Sequence, residues 1–203
     1  MTKGIRITLA VALAVLAAAA TTWFAVPRRA APGAGGLGEP GQVATPFVLT
    51  DSAGAPFDSA RLKGRVALVF FGFTHCPDVC PTTLALMTNV LETLGPDARS
   101  VQPVFISVDP ERDTPAALQR FGALFDPRIA MLTGAPDDIA KVAAAYHVYA
   151  RRVPLKDGGY TMDHTASVFI FDRAGRFRST FNFGDKDETI LDKIRLVLGA
   201  GPT

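Results

Sequence analysis

Phe70-Phe71-Gly72-Phe73-Thr74-His75-Cys76-Pro77-Asp78-Val79-Cys80-Pro81 follows the apolar run Val66-Ala67-Leu68-Val69 and holds both cysteines of a 203-residue chain. A continuous apolar run, bounded by Lys63-Gly64 and by the cysteine loop, predicts a central strand over 65–73 that is covered on both faces. Beyond the loop, Leu84, Met87, Leu91 and Leu94 recur at helical spacing. Pro81 and the two threonines after it are placed to open that helix, and Gly95-Pro96 to close it. Strand followed by helix puts the cysteines at the carboxyl end of the strand. Two thiols four positions apart can there close a disulfide or hold a soft metal ion.

Working outward, Phe47-Val48-Leu49, a polar turn over 51–54 and Pro56-Phe57 have the form of a short hairpin. On the other side, 101–108 reads as a second buried strand and 109–113 as a polar loop leading to Thr114-Pro115, a cap and first-turn pair. A helix with Leu118, Phe121 and Phe125 inward follows, then a short strand over 129–132, a helix over 136–146 and a strand over 148–153. Residues 160–165 read as a polar loop. The chain finishes with a strand over 166–171, a turn, a second hairpin arm over 177–183, and a helix over 187–198 ended by Gly199. With the cysteine pair on the first strand-to-helix connection, this order predicts an α/β, thioredoxin-like fold: a central mixed sheet flanked by helices. The spacing departs from the thioredoxin redox motif, which has two residues between its cysteines. Here Pro77, Asp78 and Val79 intervene, leaving room between the sulfurs.

Hydrophobic residues make up 48% and charged residues 20%, which argues against disorder, and a net charge of +2 leaves no nucleic-acid footprint. Two cysteines in one motif point to a reactive or ligating pair in preference to a structural staple. At the amino terminus Lys3 and Arg6 precede an uncharged stretch of 20 residues, 7–26, rich in Ala, Val and Leu. At about 1.5 Å per residue it can span a bilayer core of about 30 Å. Its length and Trp23-Phe24 near its end favour an uncleaved transmembrane helix over a cleaved secretory signal. The expected organisation is therefore a membrane anchor over 1–26, a flexible Pro/Gly/Ala-rich linker over 27–43 and one domain over 44–203.

A metal held by the two thiolates needs a further donor, and the chain has three histidines, His75, His147 and His164. His75 adjoins Cys76, so simultaneous ligation is awkward and it reads as a neighbour of the site. His147 falls at the end of a helix, where it can satisfy terminal carbonyls. His164 precedes a buried strand, at a position that a thioredoxin-like topology brings beside the cysteine motif. Asp163 reads either as a residue that orients this imidazole or as an ordinary turn carboxylate. Met162 reads as packing. Asp78 would oppose thiolate formation and favour a bound cation, or else cap the helix.

Phe73-Thr74-His75-Cys76-Pro77-Asp78-Val79-Cys80-Pro81, Val108-Asp109-Pro110-Glu111-Arg112-Asp113-Thr114-Pro115 and Asp163-His164-Thr165, in this order and spacing, resemble the Sco (SenC) family of copper chaperones. The resemblance covers the domain from Ala44 onward. It implies a bacterial, membrane-anchored protein with its domain on the periplasmic side of the cytoplasmic membrane. It further implies one copper ion, Cu(I) or Cu(II), bound through Cys76, Cys80 and His164. The implied role is assembly of the CuA centre of cytochrome c oxidase subunit II, with a second periplasmic copper chaperone or a thiol reductase as further partners. The alternative is a thiol-disulfide oxidoreductase, in which Cys76 and Cys80 are the redox pair that reduces the oxidase subunit before metallation. His164 discriminates the two, because a pure reductase has no need of an imidazole there.

Overall fold

The structure, a computed structural model, describes residues 40–156 and 158–199. The expected anchor and most of the expected linker lie outside the described residues. Among those described, no helix is long and apolar enough to cross a membrane.

Strand β3, Val66–Gly72, has all seven residues buried, as a run without polar side chains requires when it lies mid-sheet. It pairs in parallel with β4, Val101–Ser107, and β4 pairs in parallel with β5, Ala130–Thr133. An amino-terminal hairpin of β1, Val48–Asp51, and β2, Pro56–Asp58, adds antiparallel to β5. On the other edge of β3 lie β8, Val168–Phe171, and β9, Phe177–Phe181, both antiparallel to their neighbours. The resulting mixed sheet has seven strands in the order β2-β1-β5-β4-β3-β8-β9. Before β1, Gly41 and Gln42 exchange backbone hydrogen bonds with Phe177, and Ala44 donates to Gly175.

Among the described residues four α-helices complete the fold: α1, Val79–Leu94; α2, Pro115–Gly122; α3, Pro136–Ala145; and α4, Asp187–Gly199. Thr114 caps α2 through its hydroxyl, which accepts from the Ala117 N–H, and Pro115 supplies a pre-set first turn. This helix is shorter than its apolar pattern: it ends at Gly122, and Phe125 packs edge-on to Phe121 from the turn beyond it, 5.3 Å between centroids. Helix α1 opens at Val79, two residues ahead of Pro81. The proline thus lies in the first turn, where a missing N–H costs nothing. That earlier start places Cys80 inside the helix.

The clearest departure from expectation concerns 160–165. This segment is no loop: Tyr160–His164 is a strand, β7, paired with β6, Ala150–Pro154, in a separate two-stranded sheet. Its partner, at Ala150↔His164 through Pro154↔Tyr160, supplies the backbone hydrogen bonds that make the polar sequence extended. None of the five β6 residues is fully buried, so no apolar alternation marks the pairing.

Phe70, Phe71, Phe73, Phe105, Phe169 and Phe181 are fully buried or nearly so and fill the core around β3. Burying one such side chain is worth about 1.5–3 kcal/mol, against about 1 kcal/mol net for a hydrogen bond. The position of β3, and with it the start of the cysteine loop, is therefore set by the core. Polar contacts adjust only what projects from it.

Candidate metal centre

The loop leaving β3 carries Cys76, half-buried, and runs into α1, whose second residue is the fully buried Cys80. Both are free thiols. The Cys80 N–H, one of the first-turn donors without a helical partner, points at the Cys76 sulfur at 3.4 Å. Gly72 makes room for the second sulfur. A Cβ at this position would stand 2.9 Å from Cys80 Sγ and 2.8 Å from Phe105 Cε2. The glycine is thus required by close packing of the helix sulfur onto the strand, not by any unusual backbone angle.

His164 reaches the sulfurs from the end of β7. Its Nε2 lies 3.6 Å from Cys80 Sγ, and its Nδ1 lies 2.9 Å from the Thr165 carbonyl oxygen. A carbonyl only accepts, so the Nδ1 position carries the hydrogen and Nε2 faces the thiols with a free lone pair. The ring is held edge-on by Phe73, centroids 5.6 Å apart at 88°, and by Phe70 at 6.4 Å. Burial moves its pKa below the ordinary histidine value, with the Thr165 carbonyl and Asp163 opposing. Burial likewise pushes the Cys80 thiol well up, with Cys76 and Asp113 adding to the rise. Both shifts favour the uncharged forms, imidazole and thiol.

Cys76, Cys80 and His164 form a group whose three ligand atoms all lie within 4.8 Å of one another. Bonds of about 2.0–2.3 Å to a single ion imply donor separations near 4 Å, so adjustments of roughly 1 Å or less would close the set. Two thiolates and an imidazole are a soft donor set suited to copper or zinc. Of the other histidines, His147 is exposed beyond the end of α3 with φ +55, and neither it nor His75 belongs to the group. His75 remains a neighbour: its side chain is 55% exposed, and its Nδ1 lies 3.1 Å from Thr74 Oγ1. Met162 is partly buried against the core, the packing role expected of it.

Of the two readings each for Asp163 and Asp78, the structure bears on one apiece. Asp163 is exposed and does not orient the ring; the Thr165 carbonyl does. Asp78, also exposed, sits at the cap position of α1 without a side-chain bond to the backbone and accepts instead from Thr82 Oγ1 at 3.3 Å. A third carboxylate, Asp113, read from sequence only as part of a polar loop, is the one that holds the start of the cysteine loop. It is completely buried and receives Thr74 N–H at 2.9 Å, Thr74 Oγ1–H at 2.6 Å and Ser107 Oγ–H at 2.6 Å. Its partners lie 39 and 6 residues away, so no local pattern announces it.

Fold and site together define a thioredoxin-like domain whose first strand-to-helix junction carries a dithiol faced by an imidazole from a separate hairpin. The chain belongs to the SCO1/SenC family, whose sequence profile matches residues 36–199. Among its relatives, the SCO2-like protein of Rickettsia prowazekii is 37% identical over 153 residues, 74% of this chain and 75% of that protein. The structure of Bradyrhizobium japonicum ScoI with copper bound is similar at TM-score 0.71 and 49% identity, covering 77% of this chain and 99% of the other. Yeast Sco1 with copper bound is similar at TM-score 0.72 and 32% identity, covering 79% and 91%.

Proposed function

We propose that this protein is a copper carrier that binds one ion through Cys76, Cys80 and His164 and delivers it to the CuA centre of cytochrome c oxidase subunit II. The observation that carries the reading is the convergence of two sulfurs and an unprotonated Nε2 within 4.8 Å. Copper in the structures of similar ScoI and Sco1 proteins supports the choice among soft ions. Binding requires both thiols to lose their protons, and the buried Cys80 proton is the harder to remove. His164 needs no such step. Two thiolates and an imidazole suit Cu(I), and a fourth donor or a distorted site accommodates Cu(II). The uncharged stretch 7–26 supports an anchor in the bacterial cytoplasmic membrane, with the domain on the periplasmic side beside its target.

A second reading uses the same pair. Cys76, the more accessible thiol, attacks a target disulfide as thiolate and forms a mixed disulfide. Cys80 then loses its proton and displaces the target thiol, leaving the target reduced and the carrier oxidised. The two roles exclude each other in time, since a Cys76–Cys80 disulfide removes both sulfurs from the ion. Thiol state would gate metal binding.

A copper titration of the wild-type chain beside His164→Ala tests the carrier. One copper per chain with thiolate-to-copper charge-transfer bands is expected, with Cu(II) binding abolished or greatly weakened in the variant. An unchanged spectrum and affinity in His164→Ala would take the histidine out of the site. For the redox reading, reduced protein that fails to reduce an oxidised subunit II domain would count against it.

A further inference from the structure

The thiols and the imidazole stand on different sheets. Cys76 and Cys80 follow β3 of the seven-stranded sheet, whereas His164 ends β7, whose strand partner is β6. The chain enters the hairpin through 146–149 and leaves it through 165–167, both at the end where Ala150 pairs with His164. A hairpin tethered at that end could swing about the tether and carry the imidazole with it. Its other end, Tyr160, lies roughly 13 Å away along the strand.

Tyr160 is held by the loop 109–113 that follows β4. Its hydroxyl donates to Asp109 Oδ1 at 2.9 Å, and Arg112 Nη1 donates to its carbonyl at 2.9 Å. Arg112 Nε is bonded to Asp109 Oδ2, and the guanidinium lies 3.7 Å over the Tyr160 ring. From the same loop, Arg112 also lies 5.9 Å from the Phe73 ring, the one that packs on His164. At the far end of the loop, Asp113 grips Thr74, two residues ahead of Cys76, by both its N–H and its hydroxyl. With its one hydroxyl hydrogen directed at Asp113, Thr74 Oγ1 is left as an acceptor for His75 Nδ1, 3.1 Å away. The loop is closed on itself by the Asp113 N–H, which donates to the Asp109 carbonyl at 2.9 Å.

Both carboxylates are buried, Asp109 at 2% exposed and Asp113 at 0%. A buried carboxylate stripped of its partners is costly, so the loop has no cheap intermediate arrangement. We propose that loop 109–113 is the positioning element of the metal centre, a strut that grips the cysteine loop at Thr74 and the histidine hairpin at Tyr160 and so sets the thiolate-to-imidazole distance. The proposal rests on reading Cys76, Cys80 and His164 as the copper ligands. None of the strut residues touches the ion; they act through the segments that carry its ligands. Partners of this kind typically change metal affinity 10- to 100-fold when lost.

Tyr160→Phe is the sharpest test, because it removes one hydroxyl and keeps the ring beneath Arg112. In the full-length chain in detergent, titrated with copper chloride, it should weaken Cu(II) binding roughly tenfold and alter the electron paramagnetic resonance spectrum, with little change in melting temperature. Asp113→Ala should cost more, and Asp113→Asn should recover part, since the amide keeps one acceptor and can donate to Thr74 Oγ1. Hydrogen exchange on the metal-free chain reads the strut independently of copper: backbone amides of 160–164 should exchange faster in Tyr160→Phe. The strut is overturned if these amides exchange as in wild type, or if folded Tyr160→Phe and Asp113→Asn bind copper with wild-type spectrum and affinity. A wild-type chain that binds no copper would remove the ligand assignment instead, while the exchange measurement would still decide whether Tyr160 latches the hairpin.

Discussion

At the scale of single residues, the centre depends on one absent side chain and two shifted titrations. Gly72→Ala places a methyl group 2.9 Å from Cys80 Sγ and 2.8 Å from Phe105. Both neighbours are buried and cannot retreat freely, so a loss of about 1–3 kcal/mol is expected in urea unfolding, with weaker copper binding as the sulfur is displaced. The pH dependence of the metal-free chain follows from His164 and Cys80. With the folded His164 pKa lowered, the unfolded state binds more protons below the ordinary value of about 6.5, so stability falls as pH drops through that range. With the folded Cys80 pKa raised, the native state keeps a proton that the unfolded state loses above about 8.5, so stability falls again as pH rises. Each limb has a limiting slope of about 1.4 kcal/mol per pH unit. Denaturation curves from pH 5 to 10 should show a plateau between the two, with His164→Ala flattening the acid limb and Cys80→Ser the alkaline one. A stability profile that His164→Ala leaves unaltered below pH 6.5 would contradict this account.

At the scale of elements, the helices near the site end in ways that can be improved without touching it. His147 closes α3 with its N–H donating to the Ala144 carbonyl, and does so at φ +55, where glycine carries no steric penalty. His147→Gly should therefore stabilise the fold by up to about 1 kcal/mol and leave the copper titration as in wild type. The converse holds for Thr114→Ala, which removes the α2 cap and should cost about 1 kcal/mol. Helix α2 follows the strut directly, so any change in copper spectrum in this variant would mean that the helix start helps to hold Asp113. Of these elements, the β3–α1 unit was legible in the sequence, because its apolar run and its helical periodicity lie in consecutive residues. The strand character of 160–164 was not, because it arises from pairing with 150–154 and neither segment carries a buried alternating face.

For the whole molecule, copper should act as a clasp between the two sheets. An ion held by Cys76, Cys80 and His164 exists only when the histidine hairpin lies against the cysteine loop, so it binds the native state and not the unfolded one. At a free copper concentration a thousandfold above Kd, the added stability is about 4 kcal/mol, or roughly 10 °C in Tm for a domain of this size. Calorimetry with Cu(I), before and after removal by a chelator, should show that increment in wild type and not in His164→Ala. Equal increments in the two proteins would mean that copper stabilises the thiol loop alone.

By itself the sequence determined the thioredoxin-like sheet and the dithiol on its first strand-to-helix junction, and its motif order singled out His164 as the candidate third donor, since apolar runs, cysteine spacing and motif order are read along the chain. Only the tertiary structure decided that Asp113 is buried against Thr74 and Ser107 while Asp78 stays exposed, that the Thr165 carbonyl orients the imidazole, and that Asp109 reaches Tyr160. These contacts join residues that a β4 loop, a cysteine loop and a separate hairpin bring together, at separations of 39 and 51 residues for Thr74–Asp113 and Asp109–Tyr160. A buried carboxylate chooses its donors by where the packed core leaves them, and that choice has no periodicity along the chain.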